Sequence, residues 1–98
     1  MTGTILFLCP HHAAKSVIAE AYFNRLAMKH QLAFEAASAG TEPDETVSPL
    51  VVKLLHEEGI DVSKHQPKRF TAQQLSDAEF IISMGCTAEE LGVPLERV

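Results

Sequence analysis

Thr4-Ile5-Leu6-Phe7-Leu8 is a short apolar run that ends abruptly at Cys9-Pro10. Its apolar character is continuous rather than alternating, so a strand here has to be covered on both faces. Two further runs share the pattern: Leu32 to Ala39, closed by Gly40, and Phe80 to Met84. Helical spacing fills the gaps between them. Residues 15–29 place Ile18, Ala19, Tyr22, Phe23, Leu26 and Ala27 three and four apart, with Lys29 and His30 at the end where positive charge suits the helix dipole. Ser48-Pro49 opens a second helix, with Ser48 as N-cap and Leu50, Val51, Leu54 and Leu55 as its buried stripe, and Gly59 stops it. Glu57 and Glu58 fall at its negative end, an unfavourable placement. Thr71-x-x-Gln74 is a capping box, and Thr87-x-x-Glu90 caps one more turn before Gly92 and Pro94.

Strand–helix–strand–helix–strand predicts an α/β domain of three layers, an open parallel sheet with helices on both faces and right-handed crossovers. At 98 residues the chain is one domain, 1–98. An apolar content of 46% excludes a disordered chain, and no apolar run approaches the ~18 residues of a membrane span. A net charge of −5 argues against nucleic-acid or anionic-membrane partners, although a local anion site built from backbone N–H groups remains compatible with it. Two distant cysteines, with no basic N-terminal leader, fit a reducing cytoplasm better than a disulfide scaffold.

In parallel sheets ligands bind beyond the carboxyl ends of the strands, which directs attention to Cys9-Pro10-His11-His12-Ala13-Ala14-Lys15-Ser16. A cysteine closes a strand, and six residues later a cation opens a helix. A loop of this length can turn successive N–H groups inward. The helix N-terminus adds free donors and positive potential, which together suit a tetrahedral oxyanion. The same field favours the thiolate of Cys9, and a thiolate beside a bound oxyanion is a nucleophile in attack position. Taken alone, Cys9 reads rather as a packed structural thiol, and it is the whole constellation that favours an anion-binding nucleophile.

Cys9-x5-Lys15-Ser16 after Ile-Leu-Phe-Leu resembles the phosphate loop of the low-molecular-weight protein tyrosine phosphatases and of the thioredoxin-coupled arsenate reductases that share their fold. Ile18-Ala19-Glu20-Ala21, Ser38-Ala39-Gly40-Thr41-Glu42-Pro43, Ser48-Pro49-Leu50, Glu58-Gly59-Ile60-Asp61-Val62-Ser63, His65 and Ile81-Ile82-Ser83-Met84-Gly85-Cys86 continue the likeness in order. The Ser-Ala-Gly-Thr-Glu-Pro segment and the Met-Gly-Cys ending lean toward the reductases. The resemblance implies that Cys9 attacks phosphorus or arsenic. Pro10, His11, His12, Ala13, Ala14 and Lys15 would hold the oxyanion, and Ser16 would donate to the thiolate. In the reductase chemistry Cys86 then displaces arsenite and forms a Cys9–Cys86 disulfide, which a thioredoxin-like partner or a small thiol reduces. No bound cofactor or metal is implied. The alternatives are a phosphotyrosine or phosphomonoester phosphatase that does without Cys86, and a non-catalytic oxyanion-binding regulatory module.

The chain departs from the family pattern at several points. Lys15 stands where the family has arginine, keeping the charge but losing the planar fork. His11 and His12 replace a Gly-Asn pair. Val93-Pro94 occupies the place of a third cysteine. The Asp-Pro general acid of the family falls in a later loop that does not occur before Val98. That loop, a fourth strand and a closing helix are expected in a longer protein of which this chain is a C-terminally incomplete record. Asp44, Asp61 and Asp77 read as turn or solvated residues and not as substitutes for the acid. His30, His56 and His65 read as surface or capping residues, and Tyr22 and the phenylalanines as core. Cys9, His11 and His12, completed by His65 or Cys86, are a candidate metal set, with no zinc-like spacing to support it.

Overall fold

The computed structural model describes residues 3–11 and 14–86. Its elements are β1 (Gly3–Leu8), α1 (Lys15–Lys29), β2 (Phe34–Ala39), α2 (Pro49–Glu57), α3 (Ala72–Asp77) and β3 (Phe80–Ser83). The strands are all parallel in the order β2-β1-β3, and Leu8 pairs with both Ala39 and Ser83. The carboxyl ends of the three strands are therefore level, and Cys9 leaves the middle one.

The alternation of side chains along β1 divides the core into two faces. On one face Leu6, Leu8, Ala39 and Ile81 pack against Leu75 and Ala78 of the α3 segment and against Cys86. Leu6 and Leu8 are fully buried, each stabilising the fold by about 1.5–3 kcal/mol over an exposed position. On the other face α1 crosses the sheet, with the Phe23 and Phe7 rings 6.2 Å apart. A second apolar cluster of Val17, Val47, Val51, Leu55 and Val62 lies between α1 and α2.

Part of the stripe expected on α1 turns inward: Ala27 is buried, Phe23 meets Phe7 and Ile18 packs on the second cluster. Tyr22 and Leu26 are exposed, and Ser16, Glu20 and Asn24 share the face turned to the sheet. Each of these polar side chains finds a hydrogen-bond partner on or just beyond a strand, which is what lets a polar stripe take the buried position. Asn24 bonds both backbone groups of Ala36, donating through Nδ2 to its carbonyl (3.1 Å) and accepting its N–H through Oδ1 (2.7 Å). β2 is an edge strand, so this amide occupies groups that would otherwise invite another strand.

On α2, Val51 and Leu55 are buried, but Leu50 and Leu54 of the expected stripe are exposed. On β3, Phe80 and Ile82 are exposed and only Ile81 reaches the core, so this strand is not covered on both faces as its composition suggests. Phe80 instead meets Phe34 at 6.2 Å between centroids, across the start of β1. Gly3 makes room for that arrangement: a Cβ there would lie 2.6 Å from Phe34 Cε1.

β2 begins at Phe34 and not at Leu32, because α1 ends in a Schellman motif. The Leu32 N–H bonds the Ala27 carbonyl and the Gln31 N–H bonds that of Met28, with Gln31 in the left-handed region at φ 54. The same motif ends α2, where Gly59 (φ 82) takes the left-handed place. Arg25 Nη1 donates to the Glu58 carbonyl at 2.8 Å, bringing positive charge to the helix end that Glu57 and Glu58 had left unfavourable. The capping box on α3 forms in full, with Thr71 and Gln74 each bonding the other's backbone N–H. The further box expected at Thr87 and Glu90 lies outside the described residues.

Candidate active site

The link from β1 to α1 is fastened by main chain on both sides. The Cys9 N–H bonds the Ala39 carbonyl (3.3 Å), the Glu42 N–H bonds that of Pro10 (2.7 Å), and the Asp44 N–H bonds that of His11 (2.9 Å). On the other side the Met84 N–H bonds the Leu8 carbonyl at 2.7 Å. Gly85 follows at φ 107, and a Cβ on it would press within 3.3 Å of Pro10 Cδ. The backbone conformation calls for glycine here, and the close approach of Pro10 leaves a Cβ little room.

These constraints shape a cavity of about 420 Å³ lined by Cys9, Pro10, His11, Ala14, Lys15, Asp44, Ser48, Met84 and Gly85. Cys9 is 5% exposed, and its Sγ lies 3.0 Å from the Oγ of the fully buried Ser16. The hydroxyl donates to sulfur once the thiol ionises. α1 starts at Lys15 with no side chain capping it and no acidic residue in its first turn. Its first-turn amides and the positive end of its dipole are therefore left to the loop and to whatever anion the loop admits. Ser48, expected to cap α2, makes no capping bond and lines the cavity instead.

Of the residues proposed from sequence, Cys9, Pro10, His11, Ala14 and Lys15 meet at this one cavity, and Ser16 supports Cys9 from beneath. His12 and Ala13 lie outside the described residues. Cys86 is in no disulfide and lies in the core, two residues beyond Met84 and not among the lining residues. Ser83 Oγ accepts the Cys86 N–H (2.9 Å) and donates to its carbonyl (2.5 Å), so the turn carrying the sulfur is closed by one hydroxyl. Among the described residues no three His, Cys, Asp or Glu side chains gather as a metal site.

Sequence reasoning missed two features. Asp44, a turn or solvated residue on sequence grounds, is exposed as expected, but it also lines the cavity and pairs with His11, Oδ1 to Nδ1 at 3.3 Å. His65, taken for a surface or capping residue, is partly buried and lies 3.8 Å from Glu20 Oε2, while Glu20 Oε1 accepts the Ser38 hydroxyl at 3.0 Å. That polar chain links α1, the end of β2 and the segment after α2 just below the loop. Helical spacing holds one signal of it, since Ser16, Glu20 and Asn24 are four apart.

A curated protein of Halobacterium salinarum named "Putative arsenate reductase" is 30% identical over 87 residues, covering 87% of this chain and 61% of its own length. The chain thus spans about three fifths of that relative. Among solved structures, the thioredoxin-dependent arsenate reductase of Corynebacterium glutamicum superposes with a TM-score of 0.78 at 34% identity, over 87% of this chain and 43% of that one. The low molecular weight protein tyrosine phosphatase of T. tengcongensis gives 0.78 at 31% identity, over 85% and 58%. Residues 4–95 match the low molecular weight phosphotyrosine protein phosphatase family, the fold is the one seen in its solved members, and the chain belongs to that family.

Proposed function

We propose that the cavity binds a tetrahedral oxyanion against an ionised Cys9, and that the chain carries the nucleophilic half of an arsenate reductase-like reaction. The observation behind this reading is the Cys9–Ser16 contact at 3.0 Å on the floor of a cavity that also receives Lys15 and the uncapped start of α1. The loop amides and Lys15 take the charge on the equatorial oxygens. Cys9 attacks arsenic and hydroxide leaves. Cys86 then attacks the Cys9 sulfur, the sulfur–arsenic pair stays on arsenic, and arsenite departs from a Cys9–Cys86 disulfide. A thioredoxin-like protein or small thiol in a reducing cytoplasm would restore both thiols. No bound cofactor takes part.

A phosphomonoester or phosphotyrosine phosphatase is the second reading. It is favoured by Cys86 being buried and not among the residues that line the cavity. Alkylation of Cys9 by iodoacetamide at pH 6 tests the shared premise. Fast labelling slowed by phosphate or arsenate supports it, and slow labelling indifferent to both ions defeats it. Thiol-dependent arsenite release that fails in Cys86→Ser then selects the reductase. Release of phosphate from p-nitrophenyl phosphate that survives Cys86→Ser selects the phosphatase, and protection with neither activity leaves a binding module.

A further inference from the structure

We infer that Ser48 is a binding residue of the cavity, its hydroxyl donating a hydrogen bond to an oxygen of the anion held against Cys9. The inference rests on the oxyanion-binding reading of that cavity and adds a residue to it. Ser48-Pro49 is a strong helix-start sequence. An N-cap hydroxyl ordinarily accepts the N–H of the second or third helical residue, here Leu50 or Val51. Ser48 accepts neither, so α2 forgoes the stabilisation that such a cap gives. A local rule broken in this way points to a function for the group set aside. That group lines the cavity together with Cys9 and Lys15.

Packing holds Ser48 in place. Val47 before it and Val51 after it are buried in one cluster with Val17 of α1, and Ala14 packs on the same cluster. The start of α2 is thereby fixed beside the start of α1. Donors to an anion are also scarce in this cavity. Pro10 has no N–H, so the loop offers none at the residue that follows the nucleophile. The Ser16 hydroxyl is spent on the Cys9 sulfur. Lys15 supplies a point charge and not a fork. Asp44 brings a negative charge to the lining, and His11 is paired with that carboxylate at 3.3 Å. Among the described lining residues, Lys15 and Ser48 are the side chains left to donate to an anion.

The test is the concentration of phosphate, and separately of arsenate, that halves the rate of Cys9 alkylation by iodoacetamide at pH 6. It is measured on the full chain, against each variant's own unprotected rate. Ser48→Ala is expected to need about ten-fold more of either anion, the loss of one hydrogen bond to a charged group, with Tm unchanged. Ser48→Thr keeps a hydroxyl and is expected to stay within about three-fold of the wild type. Ser48→Asp caps a helix as well as serine does, but at pH 6 it has no hydrogen to give and adds a negative charge. It is expected to bind either anion worse than alanine does. Because threonine and aspartate can both cap α2, their contrast decides the matter even where the alanine variant folds poorly. A serine that merely starts the helix would give the opposite pattern. Ser48→Ala would lose several degrees of Tm and keep its protection, and threonine and aspartate would protect alike. Either result overturns the assignment and leaves the oxyanion site standing. A wild-type chain that neither anion protects overturns the site itself, and the assignment with it.

Discussion

The Cys9 sulfur and the Ser16 hydroxyl meet at 3.0 Å although one ends a strand and the other lies in the first turn of the next helix. The contact joins the two ends of the loop across its base. A hydrogen bond to a charged group contributes about 1.5–3 kcal/mol, so Ser16→Ala should slow Cys9 alkylation at pH 6 and catalytic turnover by roughly ten- to a hundred-fold. Stopped alkylation series at fixed pH measure the first effect and steady-state rates the second.

Lys15 offers the bound anion a single cationic point where a guanidinium would offer a fork. Lys15→Arg is expected to raise activity by about ten-fold, the worth of ~1.4 kcal/mol at the transition state. Lys15→Met should abolish phosphate protection of Cys9. A fall in activity with arginine would show that the cavity is shaped around lysine.

Asn24 holds both backbone groups of Ala36 at the sheet edge. Asn24→Ala removes two hydrogen bonds and opens a strand edge. Urea unfolding should show a loss of about 1–3 kcal/mol, with concentration-dependent association as the second sign.

Gln31 adopts φ 54 at the end of α1, where glycine is at ease. Gln31→Gly relieves left-handed strain worth about 1–2 kcal/mol against a somewhat larger chain entropy, for a net gain of roughly 0.5–1 kcal/mol. Thermal unfolding would register that as an increase of several degrees in Tm, given about 4–8 °C per kcal/mol for a domain of this size.

Asp61 is held below the ordinary carboxylate value of 3.8, first by the Ser63 hydroxyl at 2.6 Å, then by the Ser63 N–H at 2.9 Å. The folded-state value is depressed. The stabilisation is therefore present above 3.8 and is lost as the pH falls through the folded value. Ser63→Ala should bring the Asp61 titration, followed by NMR, back toward 3.8, and should flatten this small acid-side loss of stability.

The order of elements was legible because each strand falls in a largely apolar stretch and helix boundaries are marked, a stop at Gly59 and a start at the Thr71–Gln74 box. The loop was legible because Cys9, Lys15 and Ser16 sit where a strand gives way to a helix. Which face of α1 turns inward was not. Apolar periodicity selects Tyr22 and Leu26, and these are exposed because Ser16, Glu20 and Asn24 satisfy hydrogen bonds from the strands. Asp44 was hidden for a different reason: nothing near it in sequence announces that main-chain bonds carry its segment to His11. Phe80 and Ile82 read as core by composition, but they fall on the face of β3 opposite Ile81, and only that residue's face is packed.

The mooring of the loop from Pro10 and His11 to Glu42 and Asp44 rests on peptide groups, with the exposed His11–Asp44 side-chain pair laid over them. Bonds between peptide groups are indifferent to side-chain identity, so the stretch can exchange its residues without slipping its anchorage. Unusual occupants such as His11 are then affordable to the architecture, and the same tolerance makes this stretch the natural place to graft new chemistry beside a nucleophile already in position.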